Sequence, residues 1–304
     1  MPRCARIKSY DSIFHIMVKS IVEAPLFKEN TDKDLYLKLV KEYQKQYAFK
    51  VYAYCLMDNH GHFIIDANGA DISKIMHGIN LTYAQAYNKK YKRIGCLFHD
   101  RFKSKIVKDD RYIIALSAYI HNNSTDIEEY KKRPSEYQYS SLSTYLGLRV
   151  DPYKILDEGF VMRLFGKKKL IARLKYKNLI AFCSDKVVKA QIEFKDEKSE
   201  YRSERKILVR NFIANDIINY VAKITNTNVD KIHIKNSKNS LEIKAISIVL
   251  MRNLCNYRCK DMCKVIGNIS QGRVSKLCSL GIKIIDEKDK YRNVINSFIR
   301  LYSA

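Results

Sequence analysis

Two histidines, His60 and His62, are separated by a single residue in the segment "HGHFIIDA" (60–67), which alternates like a β-strand. Residues two apart in a strand project from the same face, so the imidazoles should lie side by side, with Gly61 and Phe63 on the other face. Neighbouring imidazoles are a natural pair of metal ligands. The alternative is two ordinary strand histidines on a polar face, because a bare His-x-His pattern is short.

The elements that would carry this pair follow from the periodicity of the first half of the chain. Strand patterns are expected at 13–22, 49–57, 60–67 and 101–109. Helical patterns are expected at 31–47, 71–91 and 111–123, and Thr31 and Asp71 are suited to cap the first two of these helices. The resulting order, β-α-β-β-α-β-α, is typical of a ferredoxin-like α+β fold with an antiparallel sheet.

A second group able to do chemistry lies on the helix "RYIIALSAYIHNN" (111–123). Apolar residues at helical spacing form its expected buried stripe: Ile113, Leu116 and Ile120. Tyr119 and Asn123 are four residues apart on an adjoining flank, so their side chains face the same way. Tyr112 lies on that flank too and is the second candidate for a reactive tyrosine. The alternative for Tyr119 is packing at a helix–sheet boundary with its hydroxyl in water.

Basic residues alternate along the segment "RFKSKIVKD" (101–109). Arg101, Lys103 and Lys105 should share one strand face, with Phe102 on the opposite face. Such a row suits contacts to the phosphates of a nucleic acid. A solvated strand face is the alternative.

The whole chain is strongly basic. Its 304 residues carry 56 Lys and Arg against 32 Asp and Glu, a formal net charge of +24. A strongly basic protein without a membrane anchor usually binds a polyanion, most often nucleic acid, although lysines that only solubilise a surface, or an AT-rich genome, give the same composition. We find no signal peptide and no apolar run of the ~18 residues that a membrane span needs. Eight scattered cysteines suggest reduced thiols and a cytoplasmic protein.

Several blocks in order, "YAYCLMDNHGHFIID" (52–66), "LFHDRFKSKIV" (97–107) and "LSAYIHNNSTD" (116–126), resemble the HUH single-tyrosine transposases, especially their REP-associated branch. The resemblance covers about residues 1–185. It implies that His60 and His62 bind a divalent cation, Mg²⁺ or Mn²⁺, with Asn123 as a third polar residue at the metal. It implies that Tyr119 is the nucleophile on single-stranded or hairpin DNA, and it is compatible with a homodimer.

Three positions depart from the pattern of that family. Gly61 stands where a bulky apolar residue is usual, Asp58 stands where proline is usual, and Asn122-Asn123-Ser124 replaces x-Asn-Pro. Glycine weakens a strand and can mark a bulge, so an irregular strand is an expectation at Gly61.

The C-terminal region has the pattern of several helices, expected at 213–225, 241–255, 259–266, 270–280 and 287–302. The segment 259–281 suggests a helix-turn-helix, with Gly267 and Asn268 at the turn and Ser270 capping the second helix. Gln271, Arg273 and Lys276 are then base- and phosphate-contacting residues near the start of a recognition helix. Residues 205–304 resemble the DNA-binding domain of the replication initiator DnaA, which implies binding to duplex DNA.

These features predict an HUH transposase domain at 1–150, a helical extension and charged linker at 151–204, and an all-α helix-turn-helix domain at 205–304. The expected activity is cleavage and rejoining of DNA strands through a 5′-phosphotyrosine. A catalytically inactive, domesticated DNA-binding regulator is the alternative. A zinc-dependent hydrolase would need a third His, Cys or Glu ligand near the pair, and the sequence shows none.

Overall fold

A computed structural model describes residues 12–21, 24–183, 207–235 and 240–302. Residues 184–204 of the expected helical extension and charged linker lie outside the described residues. The chain divides into two compact units, one formed by residues 1–44 and 49–207, the other by residues 45–48 and 208–304. Among the described residues, no helix has both the length and the apolar character required to cross a membrane.

An antiparallel sheet of four strands forms the centre of the first unit, and the order across the sheet is β2-β3-β1-β4. The strands are β1 Ile13–Lys19, β2 Lys50–Leu56, β3 His60–Asp66 and β4 Lys103–Ile106. The helices between and after them are α1 Asn30–Tyr47, α2 Ile72–Lys90 and α3 Asp110–Asn122. This is the predicted β-α-β-β-α-β-α order of an α+β fold.

The two faces of the sheet pack against different helices. Phe63 of β3 contacts Tyr36 of α1 with ring centroids 5.9 Å apart, and Tyr36 contacts Tyr83 of α2 at 5.1 Å. Helix α3 packs against β2 and β3, and its Tyr119 lies against the face that carries His62. The predicted separation of His62 from Phe63 onto opposite faces is therefore confirmed.

Three further helices belong to the same unit: α4 Leu142–Tyr145, α5 Glu158–Arg163 and α6 Lys169–Phe182. Helix α6 packs against α3 and α5, and α5 packs against β2. His121 of α3 joins these layers, because its ring nitrogens lie 2.6 Å from Tyr176 Oη on α6 and 2.7 Å from Ser141 Oγ before α4. Residues 151–183 thus pack on the sheet and on α3.

Three local expectations are wrong. Strand β4 begins at Lys103 rather than at residue 101, so Arg101 precedes it. Helix α1 begins at Asn30, so Thr31 does not cap it; instead, the carboxylate of Asp32 accepts hydrogen bonds from two preceding backbone amides at 3.0 Å. No bulge occurs at Gly61, where β1–β3 pairing runs without interruption, and the register shift lies between Val51 and Ala53.

The packing around Gly61 explains why glycine fits at this position without an irregularity in the strand. A Cβ built on Gly61 would lie 2.8 Å from Leu56 Cδ2 and 3.3 Å from Val18 Cγ2. Neighbouring side chains therefore fill the volume that a larger residue would take, and β3 stays regular where it presents the histidines.

The described part of the second unit is helical: α7 Ala214–Ile224, α8 Leu241–Leu254, α9 Cys259–Ile266, α10 Gln271–Glu287 and α11 Val294–Tyr302. Its apolar core centres on α8, which is buried along most of its length. Helix α10 continues past the expected end at residue 280, because Gly281 lies against the backbone of Ala245, where a Cβ would approach the carbonyl oxygen to 2.3 Å. The helix expected at 287–302 is replaced by a 3₁₀ turn at Asp289–Tyr291 followed by α11.

Candidate active site

The two histidines of β3 lie side by side, as their spacing predicts. Their ring centroids are 5.1 Å apart and the ring planes are nearly perpendicular. His62 is buried, whereas His60 is partly open to solvent. His60 Nδ1 lies 2.7 Å from Asn59 Oδ1, which is a hydrogen-bond acceptor.

Helix α3 brings Tyr119 to this pair. Asp109 caps the helix by accepting a hydrogen bond from the amide of Tyr112 at 2.8 Å. Its predicted apolar stripe is buried against the sheet: Ile113, Leu116 and Ile120. Tyr119, on the adjoining flank, is half-buried, and its ring meets the His62 ring edge-on at 5.6 Å.

Asn123 begins the 3₁₀ turn that follows α3. Its Nδ2 donates to the carbonyl of Tyr119 at 2.8 Å and to that of Ile120 at 3.3 Å. These bonds use the amide hydrogens, so Oδ1 is the atom presented to His60, with which Asn123 forms a side-chain hydrogen bond. The residues predicted as metal ligands and nucleophile, His60, His62, Asn123 and Tyr119, thus form one cluster.

A fifth member of the cluster, His15, was missed in the sequence, where it has no partner at a telling spacing. It is fully buried on the central strand β1, and its Nε2 lies 3.0 Å from His62 Nδ1. Its ring is stacked on His62 at 5.3 Å and meets Tyr119 at 6.1 Å. The only available signal was alternation, which places His15 on the same face of β1 as Met17, the cross-strand partner of His62.

Burial keeps the three imidazoles neutral. Burial, reinforced by the positive charge of Lys105, lowers the pKa of His15 to about 3. Burial and the neighbouring rings of His15 and His60 hold the pKa of His62 well below its usual value. Burial also lowers the pKa of His60, against a hydrogen bond with Asn123 that favours the charged form. Neutral imidazoles retain the lone pair that metal binding requires.

The donor set of two imidazole nitrogens and one amide oxygen suits a divalent cation that also binds substrate. Nε2 of His60, Nε2 of His62 and Oδ1 of Asn123 are the protein atoms that would hold it, which leaves further positions for phosphate oxygens and water, as Mg²⁺ and Mn²⁺ commonly have. Within the described ranges, no group of three His, Cys, Asp or Glu residues is placed to hold a metal ion.

Tyr112, the second candidate nucleophile, has a different environment. Its hydroxyl is buried and makes no hydrogen bond to the described residues. Burial, with a smaller effect of Tyr119, raises its pKa to about 12. The ammonium of Lys105 lies 5.4 Å from the centre of its ring. Tyr119, rather than Tyr112, is therefore the tyrosine seen in contact with the histidine pair.

Only two of the three basic residues predicted to share a strand face lie on the strand. Lys103 and Lys105 lie on β4, opposite Met17 and His15 of β1, so they share the face of the cluster. Arg101 precedes the strand and lines a cavity of about 620 Å³ beside α2, together with residues such as His77 and Leu81. The expectation that Arg101 shares the strand face is wrong, and DNA binding by the three residues stays a prediction.

A second cavity, of about 670 Å³, opens beside His60. Lys19, the cross-strand partner of His60, lines it together with Asn59 and Asp126. Its lining is mixed, because apolar residues such as Met57 and Ile127 also contribute, and no residue of the cluster is among the described residues that line it.

In the second unit, the predicted helix-turn-helix residues lie on α9 and α10. Gly267 and Asn268 have positive φ values of 70° and 45° in the turn, and Ser270 caps α10 through a hydrogen bond from the amide of Arg273. Three polar side chains of the first turns are exposed: Gln271, Arg273 and Lys276. Buried residues of the same turns face the core: Val274, Leu277 and Cys278. Contact of the exposed residues with DNA stays a prediction.

Residues 8–123 match the family model described as "Transposase IS200 like". The match begins just before β1 and ends at Asn123, so it spans all the residues of the cluster. It supports the resemblance to transposases over these residues, and it does not extend to residues 208–304.

Among solved structures, the chain is similar to one of a REP-associated tyrosine transposase bound to a REP hairpin. The sequences are 15% identical, the TM-score is 0.42, and the alignment covers 50% of this chain and 90% of that chain. A comparison with curated proteins gave no match.

Proposed function

We propose that this chain is a DNA strand transferase of the transposase type. It cleaves and rejoins single-stranded or hairpin DNA through a covalent bond to Tyr119. The contact of Tyr119 with His62, within a cluster that also contains His60 and Asn123, is the observation that carries this proposal. The match of residues 8–123 to IS200-like transposases supports it.

Four residues of the cluster divide two tasks in that reaction. His60, His62 and Asn123 would hold a divalent cation, Mg²⁺ or Mn²⁺, and Tyr119 would be the nucleophile. When bound, that cation offsets the charge on the non-bridging phosphate oxygens and stabilises the transition state. Helix α3 fixes the ring of Tyr119 against His62, so the nucleophile and the ligands are held by one sheet face and one helix.

The covalent step conserves the energy of the phosphodiester bond. Tyr119 Oη, having lost its proton, forms a bond to phosphorus, and the bond from phosphorus to the 3′ oxygen breaks. The 3′ oxygen leaves with that electron pair, takes up a proton and becomes a 3′-hydroxyl, while the 5′ end stays on the tyrosine. Attack by another 3′-hydroxyl reverses these changes and rejoins a strand, so no nucleotide cofactor is consumed. Lys103, Lys105 and water are the candidates that assist loss of the tyrosine proton.

The second unit adds contacts with duplex DNA through the exposed start of α10 in this proposal. Its basic residues and the helix pair α9–α10 support that role. A cytoplasmic location, where the chain meets chromosomal DNA, belongs to the same proposal, and so does a homodimer.

The deciding experiment incubates the full chain with single-stranded hairpin DNA from the flanks of its own gene and Mg²⁺ or Mn²⁺. We expect a protein–DNA adduct that survives denaturation, and mass spectrometry should locate it on Tyr119. Tyr119→Phe keeps the ring packing and removes only the attacking oxygen, so it should bind the hairpin and form no adduct.

Tyr112→Phe is the matched control, because it removes a hydroxyl from the same helix flank and should retain the adduct. An adduct that persists in Tyr119→Phe and disappears in Tyr112→Phe would transfer the role to Tyr112. DNA binding by the wild type without any adduct would favour an inactive DNA-binding regulator.

A further inference from the structure

The hydrogen bond between His15 and His62 suggests a task for a residue outside the expected ligand set. Both rings are buried, their nitrogens Nε2 and Nδ1 are 3.0 Å apart, and the rings stack at 5.3 Å. The strands hold this contact from both sides, because β1 lies between β3 and β4 and pairs with each of them.

The direction of this hydrogen bond decides which nitrogen of His62 is available. A neutral imidazole has one N–H group and one lone pair. If His62 Nδ1–H donates to His15 Nε2, the lone pair of His62 lies on Nε2. If His15 Nε2–H donates instead, His62 must carry its proton on Nε2, which then has no lone pair for a metal ion. Only the first arrangement makes His62 a ligand through Nε2.

We propose that His15 is a positioning residue that accepts the Nδ1 proton of His62, and thereby fixes both the tautomer and the ring orientation in which His62 binds the divalent cation. This inference rests on the proposed function, because it assumes that His62 is a metal ligand. Histidine ligands commonly donate their second N–H to an outer partner, and loss of that partner weakens metal binding by about 10- to 100-fold. Here the outer partner is a second imidazole on the neighbouring strand.

The same residue also touches the nucleophile. The rings of His15 and His62 both meet Tyr119 at steep angles, with centroid distances of 6.1 and 5.6 Å. Rotation of His62 about its side-chain bonds would break the hydrogen bond to His15 and also disturb the packing on Tyr119. His15 therefore couples the placement of the ligand to that of the tyrosine.

The test compares the wild type with three full-length variants. His15→Phe keeps an aromatic ring in the stack but removes the acceptor nitrogen, whereas His15→Gln restores an acceptor oxygen on a flexible side chain. Met17→Leu is the control, because Met17 lies on the same face of β1 and pairs directly with His62. Circular dichroism and thermal unfolding establish that each variant is folded.

Two readouts, neither of which uses catalysis, are measured. Long-range ¹H–¹⁵N spectra of the metal-free protein report the tautomer of His62, and titration with Mn²⁺ alone reports affinity at the pair. We expect the Nδ1–H tautomer in the wild type, and Mn²⁺ binding about 10- to 100-fold weaker in His15→Phe. His15→Gln should recover part of this loss, and Met17→Leu should resemble the wild type.

An Nε2–H tautomer in the wild type, or unchanged tautomer and Mn²⁺ affinity in a folded His15→Phe, would overturn the role of His15. A different result would count against the proposed function instead. If the wild type shows the Nδ1–H tautomer and His15→Phe loses it, but the wild type binds no Mn²⁺, the hydrogen-bond assignment stands and the metal site is overturned.

Discussion

The ring of Tyr119 on α3 meets the ring of His62 on β3 at 5.6 Å and at an angle of 83°. Helix and strand are far apart in the sequence, and the apolar stripe of α3 presses them together. The stripe itself is buried, so Tyr119 takes the position at its margin, where a ring can touch the histidine and still be partly open to solvent. This geometry holds the ring of Tyr119 against the histidine and leaves it partly open to solvent, as its proposed role as nucleophile requires.

The first prediction concerns the metal ligands. His60→Ala or His62→Ala should reduce DNA cleavage by at least about 100-fold, because a cation at the phosphate contributes several kcal/mol to transition-state stabilisation. Excess EDTA should have the same effect on the wild type. Initial rates of hairpin cleavage at saturating Mg²⁺ or Mn²⁺ measure both effects.

His77→Ala is the matched control for that experiment. His77 is exposed on α2 and lines the separate cavity beside that helix. Its removal should leave the cleavage rate within about twofold of the wild type, as surface substitutions usually change little. Full cleavage in excess EDTA, or by His62→Ala, would contradict the metal role.

The second prediction concerns Lys33 and Asp58, which anchor the turn before His60. Lys33 Nζ lies 2.8 Å from Asp58 Oδ1, and the side chains are 7% and 77% exposed, respectively. The ammonium group also lies 5.6 and 5.1 Å from the rings of Tyr137 and Tyr139. Asp58 occupies the position where the resembled family usually has proline, so the ion pair fixes a turn that a proline ring would otherwise stiffen.

Because Lys33 is buried and Asp58 is exposed, substitutions of the two residues should lower the free energy of unfolding by different amounts. Asp58→Ala leaves a buried ammonium without its counter-charge and should lower the free energy of unfolding by about 2 kcal/mol. Lys33→Met leaves Asp58 in water and should cost less than about 1 kcal/mol. In urea unfolding, the variant that combines Asp58→Ala with Lys33→Met should therefore have a free energy of unfolding close to that of Lys33→Met alone.

Removal of the exposed pair Lys131 and Glu128, 3.5 Å apart, is the control and should have almost no effect. Equal losses for the two single variants would contradict this account.

Local periodicity was enough to predict much of the fold and of the site. A period of two places His60 beside His62, and a period of 3.6 places Tyr119 and Asn123 on one flank of the predicted helix 111–123. Both patterns act over a few residues, so neighbours in sequence determine them. The element order follows for the same reason, because each strand and helix carries its own periodicity.

Contacts set by tertiary register were not predictable in this way. His15 meets His62 across 47 residues, and the contact exists because β1 inserts between β3 and β4. Helix α10 likewise continues past the end expected at residue 280, and Gly281 within it allows close packing against Ala245, a contact that local periodicity does not show. Arg101 was assigned to the strand because the alternation of basic residues starts at residue 101, two residues before β4 begins at Lys103.

The third prediction concerns His121 and acid stability. Burial lowers the pKa of His121 to about 3, whereas an unfolded histidine has a pKa of about 6.5. Between these values the unfolded chain binds a proton that the folded chain does not, so the free energy of unfolding should fall as the pH drops from about 6.5 towards 3. His121→Gln removes this proton uptake, so its stability should depend less steeply on pH.

The measurement is urea unfolding of the wild type and His121→Gln at several pH values across that window. The slopes of the free energy of unfolding against pH should differ between the two proteins by up to about 1.4 kcal/mol per pH unit, which corresponds to the uptake of one proton on unfolding. His15 and His62 contribute to both proteins equally, so the comparison isolates His121. Parallel curves for the two proteins would contradict the burial of a neutral His121.

The last prediction concerns the exposed start of α10. Arg273→Ala and Lys276→Ala should each weaken duplex binding by the full chain, and each should reduce the slope of log K against log salt by about 0.9, because each phosphate contact releases counterions. Lys283→Ala is the matched control, because Lys283 lies farther along the same helix and pairs with Glu287 at 3.7 Å. Fluorescence anisotropy with a duplex oligonucleotide at several salt concentrations gives affinity and slope together. Tyr119→Phe should bind the duplex like the wild type, since its role lies in cleavage. If Arg273→Ala, Lys276→Ala and Lys283→Ala change the slope equally, the second unit contributes diffuse charge and α10 is not a recognition helix.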